Sequence, residues 1–140
     1  MKTSQNALNL IGRILIALLF IPAGLSKLTG FEGTVGYFTS LGMITPALGV
    51  VVAIIVELLG GIALLVGYQT RVVAIVVAVF TFAATLIGHA YWAVPAEQAF
   101  IVKLMFFKNM AVIGGLLVLA SAGAGKLSID GIKEKQSATH

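Results

Sequence analysis

The sequence predicts an all-α integral membrane protein: a four-transmembrane-helix bundle with a short interfacial helix between the first and second spans. Of the 140 residues, 59% are hydrophobic and only 10% are charged, and the mean hydropathy is +1.08. Soluble domains are about half apolar and about a quarter charged, so this chain has too little polar surface for a soluble enzyme. Four apolar runs each approach the roughly 20 residues that a helix needs to cross a bilayer.

The four runs are bounded by residues that start or stop helices at a membrane interface. Pro46 precedes the second run, where proline is tolerated because the first N–H groups of a helix lack internal partners. Tyr91 and Trp92 close the third run and are typical of a membrane interface, and Gly123 ends the fourth. The predicted spans are residues 6–28, 47–67, 71–94 and 99–122.

The connection between Thr29 and Thr45 is too short to span a membrane but carries a helical pattern. Thr29 and Glu32 fit the S/T-x-x-E capping box that marks a helix start. Phe31 and Phe38 fall on one helical face. The pattern predicts a short interfacial helix, with a plain loop carrying two aromatic anchors as the alternative.

The basic residues of the loops are divided unevenly between the two sides of the predicted membrane. Four spans place both termini on one side, which carries Lys2, Arg71, Lys126, Lys133 and Lys135. The other side carries only Lys27 and Lys103. The positive-inside rule therefore predicts cytoplasmic termini. The expected organisation is a transmembrane domain over residues 1–125 and a cytoplasmic polar tail over residues 126–140.

Five polar residues interrupt the apolar spans, and these are the candidate ligand-binding residues. An ionisable group near the bilayer centre costs about 2.5 to 3.5 kcal/mol on insertion scales, so it should face the bundle interior with a partner. The five residues are Arg13, Glu57, His89, Lys108 and Asn109.

Glu57 and Lys108 are predicted to lie at the same depth and to form an ion pair. They lie about ten and about nine residues into two spans that run in the same direction, at about 1.5 Å per residue. Asn109 or Arg13 is expected to complete the hydrogen bonds, although Arg13 can also reach the cytoplasmic interface. Such a pair either holds the helices in register or lines a pocket for a small polar headgroup or a proton relay.

His89 lies beside Tyr91 and Trp92, near the outer interface. A lone interfacial histidine commonly satisfies only its own hydrogen bonds, and a ligand contact is the alternative.

Several classes of chemistry are disfavoured by residue counts. The chain has no cysteine, so it forms no disulfide, thiolate nucleophile or iron–sulfur cluster of its own. Its two histidines, His89 and His140, make a bis-histidine haem or a multi-histidine metal site within one chain implausible. The basic residues do not cluster on one face, which argues against nucleic acid as a partner. No catalytic constellation, metal site or intrinsic cofactor is predicted.

Six segments, in order along nearly the whole chain, resemble the DoxX family of small bacterial membrane proteins, and the likeness is greatest to its YphA-like branch. They are FIPAGLSKL at 20–28, ELLGG at 57–61, GYQTR at 67–71, GHAYW at 88–92, FKNMA at 107–111 and GAGKLSID at 123–130. The resemblance implies a four-helix protein of the bacterial inner membrane. That family includes a subunit of thiosulfate:quinone oxidoreductase and membrane partners of detoxifying redox enzymes. It also implies that Glu57, Lys108 and Asn109 are important.

Three functions remain open at this point. The first is the membrane component of a redox system, which binds quinone or another small lipid-soluble ligand while a partner protein handles the electrons. The second is permeation of protons or a small solute, for which intramembrane ionisable groups are also typical. The third is a membrane scaffold whose ion pair is purely structural. Whether the chain forms a homo-oligomer, and whether it is part of an enzyme, are left open by the sequence.

Overall fold

The computed structural model describes residues 2–140 and is built from helices, with no β-strand in that range. A 3₁₀ turn, Tyr91–Ala93, joins the fourth and fifth helices. The helices are α1 (Thr3–Thr29), α2 (Phe31–Ser40), α3 (Pro46–Val66), α4 (Thr70–Gly88), α5 (Ala96–Ala122) and α6 (Ile129–Ser137).

Four of these helices, α1, α3, α4 and α5, are long and apolar enough to cross a membrane. The predicted fold class is therefore confirmed. The third span is Thr70–Ala93, and its α-helical part ends at Gly88. Beyond Gly88, the rings of Tyr91 and Trp92 pack edge-on against Phe106 of α5, with ring centres 5.3 and 5.8 Å away.

Most of the packed core lies in the half of the bundle next to the chain termini. Its residues come from all four spanning helices, and several of them lie within a few residues of the helix ends at Val66, Thr70 and Ala122. The buried core residues are Phe20, Leu64, Ala74, Val77, Ala78, Leu116 and Leu119. The opposite half of the bundle is where the structure leaves space.

Helix α2 forms as predicted between the first two spans, but its start differs from the prediction. Its N-cap is Gly30, which provides no side-chain hydrogen bond. The Thr29 hydroxyl instead donates to the carbonyls of Leu25 and Ser26, because α1 continues through Thr29. The predicted capping box with Glu32 is therefore wrong, although the helix itself is present.

The polar segment after α5 contains α6, a helix that the sequence analysis did not predict. The carboxylate of Asp130 accepts hydrogen bonds from the backbone N–H groups of Gln69 and Thr70, both at 2.9 Å. The Asp130 N–H donates to the carbonyl of Gly67, also at 2.9 Å. These contacts tie the start of α6 to the turn between α3 and α4.

Candidate functional site

An ion pair joins α1 and α3 inside the bundle. Lys27 Nζ lies 2.9 Å from Oε2 of Glu57 and 3.2 Å from Oε1. Glu57 is buried, with 9% of its surface exposed, and Lys27 is half-buried. Within residues 2–140 this is the only ion pair.

Close approach of two helix backbones creates this pair. A Cβ atom at Gly24 of α1 would lie 2.7 Å from the backbone nitrogen of Leu58 in α3, and one at Gly61 would lie 2.8 Å from the side chain of Ile21. Only glycine leaves room for this contact, so the two helices touch backbone to backbone. Lys27 follows Gly24 by less than one helical turn and is thereby brought to Glu57.

Glu57 is the central residue of a π-helical turn, Ile55–Leu59, within α3. π-turns are rare, insert one extra residue into a helical turn and occur frequently at functional sites. The extra residue rotates the side chains on either side of the turn relative to a regular α-helix. The polar residue of α3 therefore sits at the one irregular turn of that span.

The ion pair borders an open cavity of about 550 Å³, lined by residues of α1 to α5 and of the connections between them. Its walls are mainly apolar, with contributions from Phe20, Phe38, Val52 and Phe80. A small set of polar side chains completes the lining: Lys27, Tyr37, Thr45, Glu57, Thr81, His89, Lys108 and Asn109. Four of the five residues predicted from the sequence thus meet at one cavity.

Lys108 lines this cavity but does not pair with Glu57. Lys108 is exposed, and its ammonium contacts Met105 Sδ at 3.8 Å. The predicted ion pair between Glu57 and Lys108 is therefore wrong, because Lys27 from the antiparallel neighbour α1 occupies that position. Lys108 is free to contact a molecule in the cavity or at its edge.

Asn109 joins α5 to α4 rather than completing the Glu57 site. Its side-chain amide donates to the hydroxyl of Thr85 at 2.9 Å. The Thr85 hydroxyl donates in turn to the Thr81 carbonyl at 2.6 Å, and Thr85 is fully buried. His89 follows at the end of α4, where its backbone N–H donates to the Thr85 carbonyl.

Arg13 lies outside the cavity, at the opposite end of the bundle. Its guanidinium donates to the carbonyls of Leu64 at 3.3 Å, Leu65 at 2.7 Å and Leu127. Asn9 Oδ1 accepts a further bond at 3.0 Å. The expectation that Arg13 reaches Glu57 is therefore wrong, because backbone carbonyls at the end of α3 already bind its donors.

Lys27 is the site residue that sequence reasoning missed. It was counted as an outer loop charge because it lies near the end of the first apolar run. A usable signal was present: a lysine three residues after Gly24 shares a helix face with a residue that allows close packing.

These features define a class of protein: a small multi-pass membrane protein whose spans line a mainly apolar cavity with a few polar groups. The sequence model of the DoxX family matches residues 8–90, and the chain belongs to the DoxX family. That match includes Lys27, Glu57 and His89 and ends before α5.

Two relatives from Escherichia coli strain K12 align over nearly the whole chain. Inner membrane protein YphA is 37% identical over 127 residues, which cover 91% of each chain. Inner membrane protein YqjF is 37% identical over 136 residues, which cover 97% of this chain and 99% of the relative. Together with the four apolar helices, these relatives support a multi-pass protein of the inner membrane.

A more distant relative from Bacillus subtilis strain 168, CatD, has a name that describes it as an oxidoreductase. It is 38% identical over 76 residues, about half of each chain, with coverages of 54% and 52%. No solved structure matches the chain. Among residues 2–140 there is no group of three or more histidine, cysteine, aspartate or glutamate side chains that could hold a metal ion.

Proposed function

We propose that this DoxX-family protein is the membrane component of a redox system and binds quinone or another small lipid-soluble ligand in the cavity beside Lys27 and Glu57. The observation that carries the proposal is the cavity itself. Its volume of about 550 Å³ lies within the range of small-molecule sites, roughly 300 to 1,000 Å³. Mainly apolar walls with a few polar groups are the usual composition of such sites.

The polar groups of the cavity suit a ligand that carries hydrogen-bond acceptors. Lys108 offers three N–H donors, and no carboxylate pairs with it within residues 2–140. His89 lines the same cavity and adds a second group that can donate. A quinone headgroup presents carbonyl acceptors on a flat apolar ring. The two donor side chains suit the carbonyls, and the apolar walls of the cavity suit the ring.

Lys27 and Glu57 have a different role in this proposal. Their charges are compensated by each other, so the pair forms a fixed polar wall rather than a free donor. The pair holds α1 against α3 and so keeps one side of the cavity in place. The residues that bind ligand directly are then Lys108 and His89.

Electrons in this system come from a partner protein. The chain contains no cysteine, and the proposed role is to hold the lipid-soluble ligand rather than to perform the redox step. The oxidoreductase name of CatD supports a redox association for the family and is carried to this chain only as part of the proposal.

The proposal also includes an orientation, with both termini in the cytoplasm. The excess of lysine and arginine on the terminal side supports it. The cavity then lies in the outer half of the bundle. A reporter fused after His140 should be active in the cytoplasm, and activity only outside the membrane would contradict this orientation.

Ligand retention after purification from native membranes tests the cavity. Quinone extracted from the purified protein should be detected by mass spectrometry at a substantial fraction of one molecule per chain. Lys108→Ala should reduce that amount about tenfold, because a hydrogen bond from a charged donor contributes about 1.5 to 3 kcal/mol. The change should have little effect on stability, because Lys108 is exposed and unpaired.

Lys103→Ala is the matched control, because it removes the same charge from the same helix outside the cavity lining. The control should retain quinone at the level of the unmodified protein. Absence of quinone from the unmodified protein, or equal loss in both variants, would contradict the proposal.

A further inference from the structure

A second concave surface lies at the opposite end of the bundle from the cavity, and the proposed function does not use it. It is a groove of about 600 Å³ between the start of α4, the end of α5 and the start of α6. We call it the terminal groove; its cationic side chains are Arg71, Lys126 and Lys133. We propose that the terminal groove binds the phosphate headgroup of an anionic phospholipid such as phosphatidylglycerol.

The terminal groove carries one more positive than negative side chain. The groove contains three cations and two carboxylates, Asp130 and Glu134. Both oxygens of Asp130 accept hydrogen bonds from backbone N–H groups at the start of α4. No carboxylate within residues 2–140 forms an ion pair with any of the three cations. A phosphate would supply the missing negative charge.

One polar group at the groove is also poorly partnered. Thr70 is 1% exposed, and its hydroxyl lies near the Asp130 carboxylate but makes no hydrogen bond of normal geometry. A buried hydroxyl without a well-formed hydrogen bond is destabilising, and a phosphate oxygen is a strong acceptor for it. The cationic side chains and the hydroxyl thus favour the same kind of ligand.

Arg71 is fixed in position at the rim of the groove. Its guanidinium donates to the carbonyls of Ala120 at 2.9 Å and Ser121. These bonds hold the cation at the end of α5 without removing its charge. A charge held in place costs less entropy on binding than a free surface lysine does.

The position of the groove favours a lipid over a soluble anion. Helix α4 begins at Thr70 and α5 ends at Ala122, so the groove lies at the ends of two spans, where lipid headgroups lie. Val72 lines the groove, and 61% of its surface is exposed. A lipid in the groove therefore meets cations at its phosphate and an apolar surface beside its acyl chains.

Lipid retention by the full chain in mixed detergent–lipid micelles tests the proposal. Native mass spectrometry should show that phosphatidylglycerol is retained about tenfold better than phosphatidylcholine of the same chain length, since each basic residue near a headgroup adds measurably to binding. Lys126→Gln combined with Lys133→Gln should remove most of that preference. Both side chains are exposed, so the variant should remain folded.

Lys2→Gln combined with Lys135→Gln is the matched control, because it removes the same charge from the terminal side outside the groove. The preference for phosphatidylglycerol should change less than about twofold in this control. Equal losses in both double variants would overturn the proposal, because they would indicate diffuse attraction to charge. Absence of any preference in the unmodified protein would overturn it as well.

Inorganic phosphate distinguishes a lipid site from a soluble-anion site. Millimolar inorganic phosphate should not displace phosphatidylglycerol, and Val72→Ser should weaken retention of the lipid, because it removes apolar contact with the acyl chains. If inorganic phosphate displaces the lipid and Val72→Ser has no effect, the groove is a site for soluble phosphate and the lipid proposal is wrong.

Discussion

Arg13 and Glu57 are both charged, both buried inside membrane spans, and held in opposite ways. Arg13 is 1% exposed, and its donors bind backbone carbonyls of α3 and of the segment before α6. Glu57 is held by one lysine and borders a cavity. The difference teaches that burial of a charge in a span does not by itself identify a ligand site. What distinguishes the two is whether the surrounding groups fill the space around the charge.

The largest effect is expected for Arg13→Leu. This change removes a guanidinium that binds three carbonyls, and it leaves the carbonyls of Leu65 and Leu127 without that donor while Leu64 keeps the N–H of Gly67. The free energy of unfolding in detergent should fall by about 3 kcal/mol or more. Quinone retained per folded molecule should stay unchanged, because Arg13 does not line the cavity.

Arg71→Leu is the control for this prediction. Its guanidinium also binds backbone carbonyls, but it is exposed, so the loss should be only about 1 kcal/mol. If Arg13→Leu were no more destabilising than Arg71→Leu, the contrast between the two ends of the bundle would fail.

The second prediction concerns the Lys27–Glu57 pair and uses a double-mutant cycle. Glu57→Ala leaves Lys27 unpaired and should cost about 2 to 3 kcal/mol, since a buried ion pair loses most when one partner is removed. The double change Glu57→Ala with Lys27→Ala should cost less than the sum of the single changes, with a coupling of about 1 to 2 kcal/mol.

The same cycle with Lys108 sharpens the assignment. Glu57→Ala and Lys108→Ala should be additive within about 0.5 kcal/mol, because the two side chains form no ion pair. Strong coupling between Glu57 and Lys108, or none between Glu57 and Lys27, would contradict the structure.

The fold was predictable because each spanning helix leaves a one-dimensional signal in the sequence. A run of about 20 apolar residues predicts a span regardless of its neighbours. Helix α6 left no such signal. Its anchor, Asp130, binds Gln69 and Thr70, which lie about 60 positions earlier in the sequence. Interactions of that kind become visible only when the helices are placed together.

The candidate site was predictable in four of its members, but not in Lys27 and not in its pairings. Depth along a span can be counted from the sequence, and it grouped Glu57 with Lys108. Rotation about each helix axis cannot be counted in the same way. The π-turn at Ile55–Leu59 changes that rotation, and the glycine contact at Gly24 decides which helix lies nearest. Both effects favoured Lys27 over Lys108.

The third prediction tests the close contact that aligns the cavity wall. Gly24→Ala places a methyl group 2.7 Å from the backbone nitrogen of Leu58, so α1 and α3 must move apart. We expect a loss of about 1 to 3 kcal/mol, as for other overpacked positions, together with weaker quinone retention.

Gly114→Ala in α5 is the matched control. A methyl group there meets nothing within 4 Å, so the change should be neutral or stabilise the helix by up to about 1 kcal/mol. If the two alanine variants were equally stable, the glycine contact would have no role in holding the cavity wall.

The smallest effect is expected at the terminal end, for Asp130→Ala. Its carboxylate accepts N–H bonds from Gln69 and Thr70, and loss of a capping group of this kind costs about 1 kcal/mol.

Burial raises the pKa of Asp130, but the hydrogen bonds and the charge of Lys133 outweigh it, so the pKa lies below its ordinary value of 3.8. A carboxylate with a lowered pKa stabilises the folded state at pH above the ordinary value, and this stabilisation is lost as the pH falls through the folded-state pKa. The thermal unfolding temperature of the variant should therefore lie below that of the unmodified protein at neutral pH and approach it below about pH 4.

Glu134→Ala is the control, because it removes the same charge from the same helix without breaking an ion pair. Its unfolding temperature should differ less from that of the unmodified protein at neutral pH. A constant difference across the whole pH range would mean that the Asp130 side chain acts through packing rather than through its charge.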